Sequence, residues 1–560
     1  MTRPHHQVWP ARLPHAIEPP ATALPDNLRI NARRYPQRPA LRFLGAVTTY
    51  AELAAQVERV AAWLSQRGIG RGDRVLVDLQ NCPQLAISHY AIWRCGAVLV
   101  PVNPMCRAAE LQHLISDSGA IFAVTSADLL PEWLAAGFAP ERLLVTRLGE
   151  ACDLNHPEAQ DLPPGWAEWL SADPALPAGV HRWAQAMDCS APPPPLAQEG
   201  GADDLALLPY TSGTTGHPKG CMHRHRSLQH NIMSGALWSN SCHEDVVLGV
   251  VPMFHITGIV VVLHGTLALG ACLVMMPRWQ REYAARLIAR HRVTRWTNIP
   301  TMVIDLLASP EAEHFDLSSL ITIGGGGAAM PQPIAERLWQ RWGLRYMEGY
   351  GLTETAAPSH TNPYDAPKQQ CLGIPILSCD ARVIDPDTRR ELAPGEVGEI
   401  IIHGPMVFDG YWGRPDATAD AFITFEGKRF FRTGDIGTTD EQGYFFITDR
   451  LKRMINASGF KVWPAEVENL MHGHPGVAEA CVISAPDAYR GETVKALVVK
   501  RAGFEALTEA ELRDWCHAHM AAYKAPRLIE FVPSLPKSGA GKVMWRTLQE
   551  REQAAGRTPA

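Results

Sequence analysis

The chain has few of the features that assign a protein quickly. Its 560 residues contain no run of five or more basic residues, and 58 acidic against 52 basic residues leave a net charge of −6. That balance excludes the electrostatic footprint of a nucleic-acid binder. The twelve cysteines are scattered, without a C-x-x-C pair. This excludes a zinc ribbon and a disulfide framework, and reads as reduced thiols in a cytoplasmic protein. The opening MTRPHHQVWPARLPHAIEPP has five prolines and no apolar run, unlike a secretory leader. Only Gly258 to Met276, 19 residues without formal charge, approaches the length of a membrane span. His264, Gly265 and Gly270 interrupt it, so it reads as a buried helix, a glycine turn and a buried strand.

What is present is ordinary globular material, 46% apolar and 20% charged, long enough for about three or four folding units. Early in the chain helix and strand alternate. TTYAELAAQVERVAAWLSQRG opens with Thr49-x-x-Glu52, a capping-box pattern, keeps Leu53, Val57, Val60, Ala61 and Leu64 at helical spacing, and stops at Gly68. DRVLVDLQ, AVLVPVNP and AIFAVTS read as strands between helices, which implies right-handed crossovers and a parallel sheet buried on both faces. Leu162 to Asp204 is proline-rich and reads as a long irregular surface connection. ARVIDP, GEIIIHG and GYFFITDR read as strands of a β-rich subdomain spanning about residues 365–450. Beyond DRLKRM, residues 451–560 read as a separate α+β domain, with VAEACVIS, ETVKALVVK and LIEFVP as strands and Thr508-x-x-Glu511 opening a helix.

The chemistry sits in glycine-rich segments. TSGTTGHPKG follows an apolar run and supplies inward-turning backbone N–H groups, hydroxyls and one lysine, a composition suited to an oxyanion. It is not a Walker A loop, because Lys219 is followed by Gly220 and the glycine spacing differs. YMEGYGLTETAAP adds an aromatic, a hydroxyl and a carboxylate in one turn. FFRTGDIG places Asp435 after a glycine, ITDRLKRMINASGFKVWPAEVE brings Arg450, Lys452, Gly459 and Lys461, and LPKSGAGKVMWR brings Lys542. Each segment alone reads as a turn; their order and spacing together do not.

In these motifs the chain resembles the adenylate-forming superfamily, specifically the AMP-forming fatty acyl-CoA synthetases, from about residue 25 to 546. The resemblance implies an α/β fold: a large N-terminal domain of doubly wound parallel sheets with a β-rich subdomain, residues 25–450, behind an extension at 1–24 and before a small mobile C-terminal domain, 451–560. It implies ATP, Mg²⁺ and coenzyme A as cofactor set, a small carboxylic acid as substrate, and no nucleic acid or membrane span, with peripheral membrane contact and a homodimer left open. Thr211, Ser212, Gly213, Thr214, Thr215, Gly216 and Lys219 match the loop on the β- and γ-phosphates. Gly349, Tyr350 and Gly351 match the adenine segment, Thr353 the α-phosphate hydroxyl, Glu354 the Mg²⁺ ligand. Asp435 matches the ribose carboxylate and Arg450 its partner. Lys452 falls at the hinge, Gly459 and Lys461 on the face used in thioester formation, and Lys542 at the lysine bridging acyl carboxylate and α-phosphate.

By the same resemblance, Met253 to Gly258 (MFHITG) lines the acyl pocket. His255 stands where amino-acid-activating relatives carry Asp, and reads as a gate or pocket-end residue against the plainer reading of a satisfied core histidine. Gly325, Gly326 and Gly327 in TIGGGGAAM suit an apolar slot beside the nucleotide. AIEPPATALPDNL looks like the opening of medium- and long-chain fatty acyl-CoA synthetases; an aryl or other carboxylate–CoA ligase, a carrier-protein loader and a catalytically silent relative are the alternatives. Arg453, where relatives often carry Asp, and SGAGK before Lys542 depart from the pattern. His223 and His225 do not make a metal site, since i and i+2 on a helix start point apart.

Overall fold

Val75, Leu76 and Val77 show how the fold is layered. Alternate side chains of a strand point to opposite faces, and here Val75 and Val77 enter one buried cluster while Leu76 enters another. Both faces of that strand are therefore covered, which is why its sequence is continuously apolar. The structure, a computed structural model, describes residues 3–196, 201–211, 218–450, 453–457, 460–462, 464–487, 491–537 and 543–555.

Two compact units divide the chain: Met1–Ala381 with Ile402–Phe431 and Gln442–Tyr444, and Arg382–Ile401 with Arg432–Glu441 and Phe445–Ala560. The first unit holds two parallel-cored sheets. One has seven strands, in the order His223–Arg224, Leu205–Leu207, Val98–Pro101, Arg74–Asp78, Phe122–Ser126, Leu143–Thr146, His181–Arg182. The other has nine, in the order Ile374–Pro375, Ala357–Thr361, Tyr346–Leu352, Thr322–Gly325, Arg295–Asn298, Val246–Gly249, Cys272–Met275, Pro39–Phe43, Ala46–Thr49. Their inner faces meet in one core that contains Val77 and Leu99 from the first sheet, Leu273 and Trp296 from the second, and Trp93 and Leu228 from helices between them. Another helix that buries its apolar face in this core, Tyr50–Gln66, begins with the expected capping box, in which Thr49 Oγ1 accepts from the Glu52 N–H and Glu52 accepts from the Thr49 N–H.

Gly258–Met276 folds as read, with one refinement. Gly258–His264 is π-helical and Gly265–Leu269 α-helical, Gly270 turns at a φ of 77°, and Cys272–Met275 is a buried strand. Among the described residues no helix is long and apolar enough to cross a membrane. The proline-rich connection is more ordered than expected. Trp166–Ser171 and Trp183–Met187 are short helices, and His181–Arg182 pairs with Leu144 and Val145 to extend the seven-stranded sheet. The cause is the apolar residues spaced between the prolines: Leu170, Trp183 and Ala186 are buried in the main core.

In the second unit Phe460–Val462, Ile455–Ala457, Gly491–Lys500 and Val477–Asp487 form an ordered sheet, with Leu528–Phe531 parallel to Gly491–Lys500. Its core gathers Val467, Val482, Val494, Val498, Leu512 and Ile529. Helix Glu509–His519 carries the second capping box, Thr508 with Glu511. The 12-residue strand Lys428–Thr439 runs through the division: its start pairs with Phe422–Phe425 within the first unit and its end with Phe445–Arg450 within the second.

Candidate active site

The phosphate-type tract is carried by a short antiparallel ladder in which Thr211 pairs with Lys219 and Tyr210 with Gly220. Ser212, Gly213, Thr214, Thr215 and Gly216, between the two strands, lie outside the described residues. The base of this ladder is fixed from several directions. Tyr210 Oη donates to Asp117 at 2.8 Å, and the His113 ring N–H donates to the Pro218 carbonyl at 3.0 Å. The Gly220–Met222 backbone is zipped to Asp409–Trp412 by Met222 N–H to Gly410, Asp409 N–H to Met222 and Trp412 N–H to Gly220.

That zipper brings Tyr411 to the centre of the site. Its hydroxyl donates to Glu354 Oε1 at 2.9 Å, and the Lys219 ammonium lies 5.1 Å from its ring centroid. The candidate phosphate lysine and the candidate metal carboxylate thus share one aromatic side chain, a residue the sequence reading passed over. Burial and the adjoining Glu354 raise the Tyr411 phenol above its usual range, so it stays protonated as a donor. Burial, with Glu354 next, likewise pushes up the Cys221 thiol, against the opposing pull of Lys219. Among the described residues no set of three or more His, Cys, Asp or Glu could hold a metal ion. Glu354, a single hard oxygen donor, fits Mg²⁺ bound by one carboxylate with the remaining positions filled by substrate phosphates and water.

Thr353 and Glu354 sit on a turn that is held by its carbonyls. His223 is buried, and its Nε2–H donates to Thr353 O at 2.7 Å. Burial lowers the His223 pKa to about 4, so the ring is neutral and that tautomer persists. The Phe408 N–H donates to Glu354 O. Asn231, 2% exposed on helix His225–Trp238, donates from Nδ2 to Thr355 O at 3.0 Å, Ala356 O at 2.7 Å and Pro358 O at 3.1 Å. The support is needed because Ala356 and Ala357 have φ of 51° and 80°, a region non-glycine residues avoid. His223 and His225 are thus structural: His225 Nδ1 accepts from the Leu24 N–H.

The glycines at the ends of the central strands are there for close approach. A Cβ at Gly326 would stand 2.4 Å from Gly349 O, and one at Gly351 would stand 1.9 Å from Ala357 O. Gly325 and Gly349 belong to the same neighbouring strand ends, Gly327 is exposed, and Tyr350 packs its ring 5.6 Å from that of His360. Glu348, also unforeseen, is buried beneath them and accepts from the Met330 N–H at 2.8 Å, tying the glycine loop to this strand. Burial raises its pKa. His255 is not the core histidine of the plainer reading: it is exposed, with its ring 4.7 Å from Phe254. The segment before it is bolted by buried Asn81, which accepts from the Met253 N–H at 2.8 Å and donates to Gly249, Val251 and Met276 carbonyls.

In the second unit Asp435 is fully buried on a strand and faces Arg450 across the ladder. Its N–H donates to Thr433 Oγ1 at 3.0 Å, and Arg432 pairs with Glu399 at 2.6 Å, so the RTGD turn is braced on both sides. Lys461 pairs with Asn456 by backbone register. Lys452, Gly459 and Lys542 lie outside the described residues. Arg453, the departure from pattern, is used within the unit: it pairs with Glu468 and donates to Val482 O.

Comparisons with known proteins place the chain in a family. The profile described as AMP-binding enzyme matches residues 28–412, and that of the AMP-binding enzyme C-terminal domain matches 466–542. A long-chain-fatty-acid–CoA ligase of Bacillus subtilis (strain 168) is 34% identical over 553 residues, 97% of each chain. A feruloyl-CoA synthase of an Amycolatopsis species is 35% identical over 523 residues, 93% of this chain and 97% of that one. The ATP-bound crystal structure of MatB from Rhodopseudomonas palustris superposes with a TM-score of 0.78 at 29% identity, covering 94% of this chain and 99% of its own. The chain belongs to the AMP-binding enzyme family. It is an ATP-dependent acyl-CoA ligase, of the acid–thiol class, that works through an acyl-adenylate with ATP, Mg²⁺ and coenzyme A.

Proposed function

We propose that the acid activated by this enzyme is a medium- or long-chain fatty acid. The observation that carries this is the wall expected to face the acyl group: Met253 to Leu263 bears no acidic side chain, and Phe254 and Val261 on it are apolar and only partly buried, which leaves them surface to offer. Such a wall recognises a chain by the area it removes from water, about 0.8 kcal/mol per methylene. The full-length similarity to fatty-acid ligases supports the same reading.

In the first half-reaction the carboxylate oxygen attacks the α-phosphorus, an O–P bond forms and pyrophosphate leaves. In the second, the coenzyme A thiol attacks the acyl carbon and AMP leaves. The protein supplies position and charge rather than a nucleophile. We assign Thr211–Gly216 and Lys219 to the β- and γ-phosphates, Gly349–Gly351 to adenine, Thr353 to the α-phosphate, and Glu354 to Mg²⁺, which would neutralise phosphate charge when bound. Asp435 and Arg450 take the ribose, and Lys542 the forming acyl phosphate. Lys452 serves as hinge, Gly459 and Lys461 serve the thioester step, and residues 451–560 form the lid. Gly325–Gly327 and His255 bound the acyl slot. The twelve scattered cysteines, without a C-x-x-C pair, support a reducing, cytoplasmic setting.

The similarity to a feruloyl-CoA synthase favours a second reading, an aryl acid. Pyrophosphate release measured over alkanoates of rising length and over benzoates and cinnamates separates them. Turnover that climbs with alkyl length supports the fatty-acid reading; turnover confined to the aromatic acids replaces it.

A further inference from the structure

We propose that Tyr411 is a positioning residue that holds Glu354 and Lys219 apart yet in register for the metal–nucleotide complex. The proposal rests on the reading of Glu354 as the Mg²⁺ ligand and deepens it.

Tyr411 touches both groups with different parts of one rigid side chain. Its hydroxyl donates to Glu354 Oε1 at 2.9 Å, and its ring seats the Lys219 ammonium 5.1 Å from the centroid. Both are charge-assisted contacts with a neutral partner. A direct lysine–carboxylate pair would neutralise both charges and would have to be broken before phosphates and metal could use them. A phenol between them fixes the carboxylate rotamer through one oxygen without neutralising either charge. The cost of ordering is met before substrate arrives.

The side chain is itself well anchored. The Tyr411 N–H donates to Thr418 Oγ1 at 2.9 Å, its backbone bridges Cys221, and its ring packs edge-on to Phe408 at 4.9 Å. Phe408 in turn donates its N–H to Glu354 O, so the same stretch grips both backbone and side chain of the candidate metal ligand. The two neighbours 408 and 411 therefore set Glu354 from one piece of chain, while Gly220 and Met222 attach that piece to the strand carrying Lys219.

The test is a two-by-two set of full-length variants: the unaltered chain, Tyr411→Phe, Glu354→Gln and both together. Mn²⁺ binding in the presence of the α,β-methylene analogue of ATP is followed by electron paramagnetic resonance, and the metal-free analogue by calorimetry. Loss of a hydrogen bond to a charged group predicts that Tyr411→Phe weakens Mn²⁺ binding by about tenfold. It leaves metal-free analogue binding unchanged, because the ring that seats Lys219 remains, and adds nothing when Glu354 is already Gln. Equal weakening by Tyr411→Phe in both backgrounds, or none in either, overturns the proposal while the reading of Glu354 stands. Mn²⁺ binding untouched by Glu354→Gln removes that reading, and the proposal with it.

Discussion

Asn231 has the most leverage of any residue that never meets the substrate. One buried amide serves three carbonyls of a turn whose two alanines occupy left-handed backbone. Replacing it with Ala strands those acceptors, at a cost of about 2 kcal/mol. Thermal unfolding will record that loss, and adenylation will fall by about tenfold as Thr353 and Glu354 drift. Unchanged adenylation would show that the turn holds itself. Thr353, Glu354 and Lys219 were readable because their motif spacing is distinctive. Asn231, Asn81 and Tyr411 were not, because each acts through a contact between segments more than 50 residues apart, and no local pattern announces such a contact.

The strand ends around Gly325, Gly326 and Gly351 belong together as one element of function, since backbone approaches backbone there with no room for a side chain. Gly351→Ala forces a Cβ against Ala357 O, whereas Gly70→Ala meets nothing within 4 Å. The first will lower the thermal midpoint and raise the KM for ATP several-fold, and the second will do neither; the pair measured side by side separates crowding from a mere change of glycine. Parallel strands such as Arg74–Asp78 and Val98–Pro101 were readable as apolar runs between amphipathic helices. The short strand His181–Arg182 was hidden, because two residues carry no period and prolines surround them. The π-helical turn at Gly258–His264 was hidden too: an apolar run gives a helix and its burial, not its winding.

Across the protein, buried neutral histidines set an acid limit. Burial lowers His89 and His360 from 6.5 to about 3, and His223, His225 and His230 to about 4. Between those values and 6.5 the unfolded chain binds more protons than the native one, so stability is full above pH 6.5 and is lost as the pH falls toward 4. Asp78, raised by burial from 3.8 to about 7, acts oppositely, losing its share as the pH rises through that window. These five histidines and His5, which burial also lowers to about 3, against one aspartate predict a fall in Tm of about 5 °C or more between pH 7.5 and 5.5. A flat Tm would mean that the histidines are charged in the native state. The central chemical claim is that glycyl and cationic segments assemble an acyl-adenylate, and the oxygen of the acid reports it. With palmitate carrying ¹⁸O in both carboxylate positions, ATP and coenzyme A, the account predicts AMP bearing one ¹⁸O. Unlabelled AMP, or ADP in its place, would contradict it.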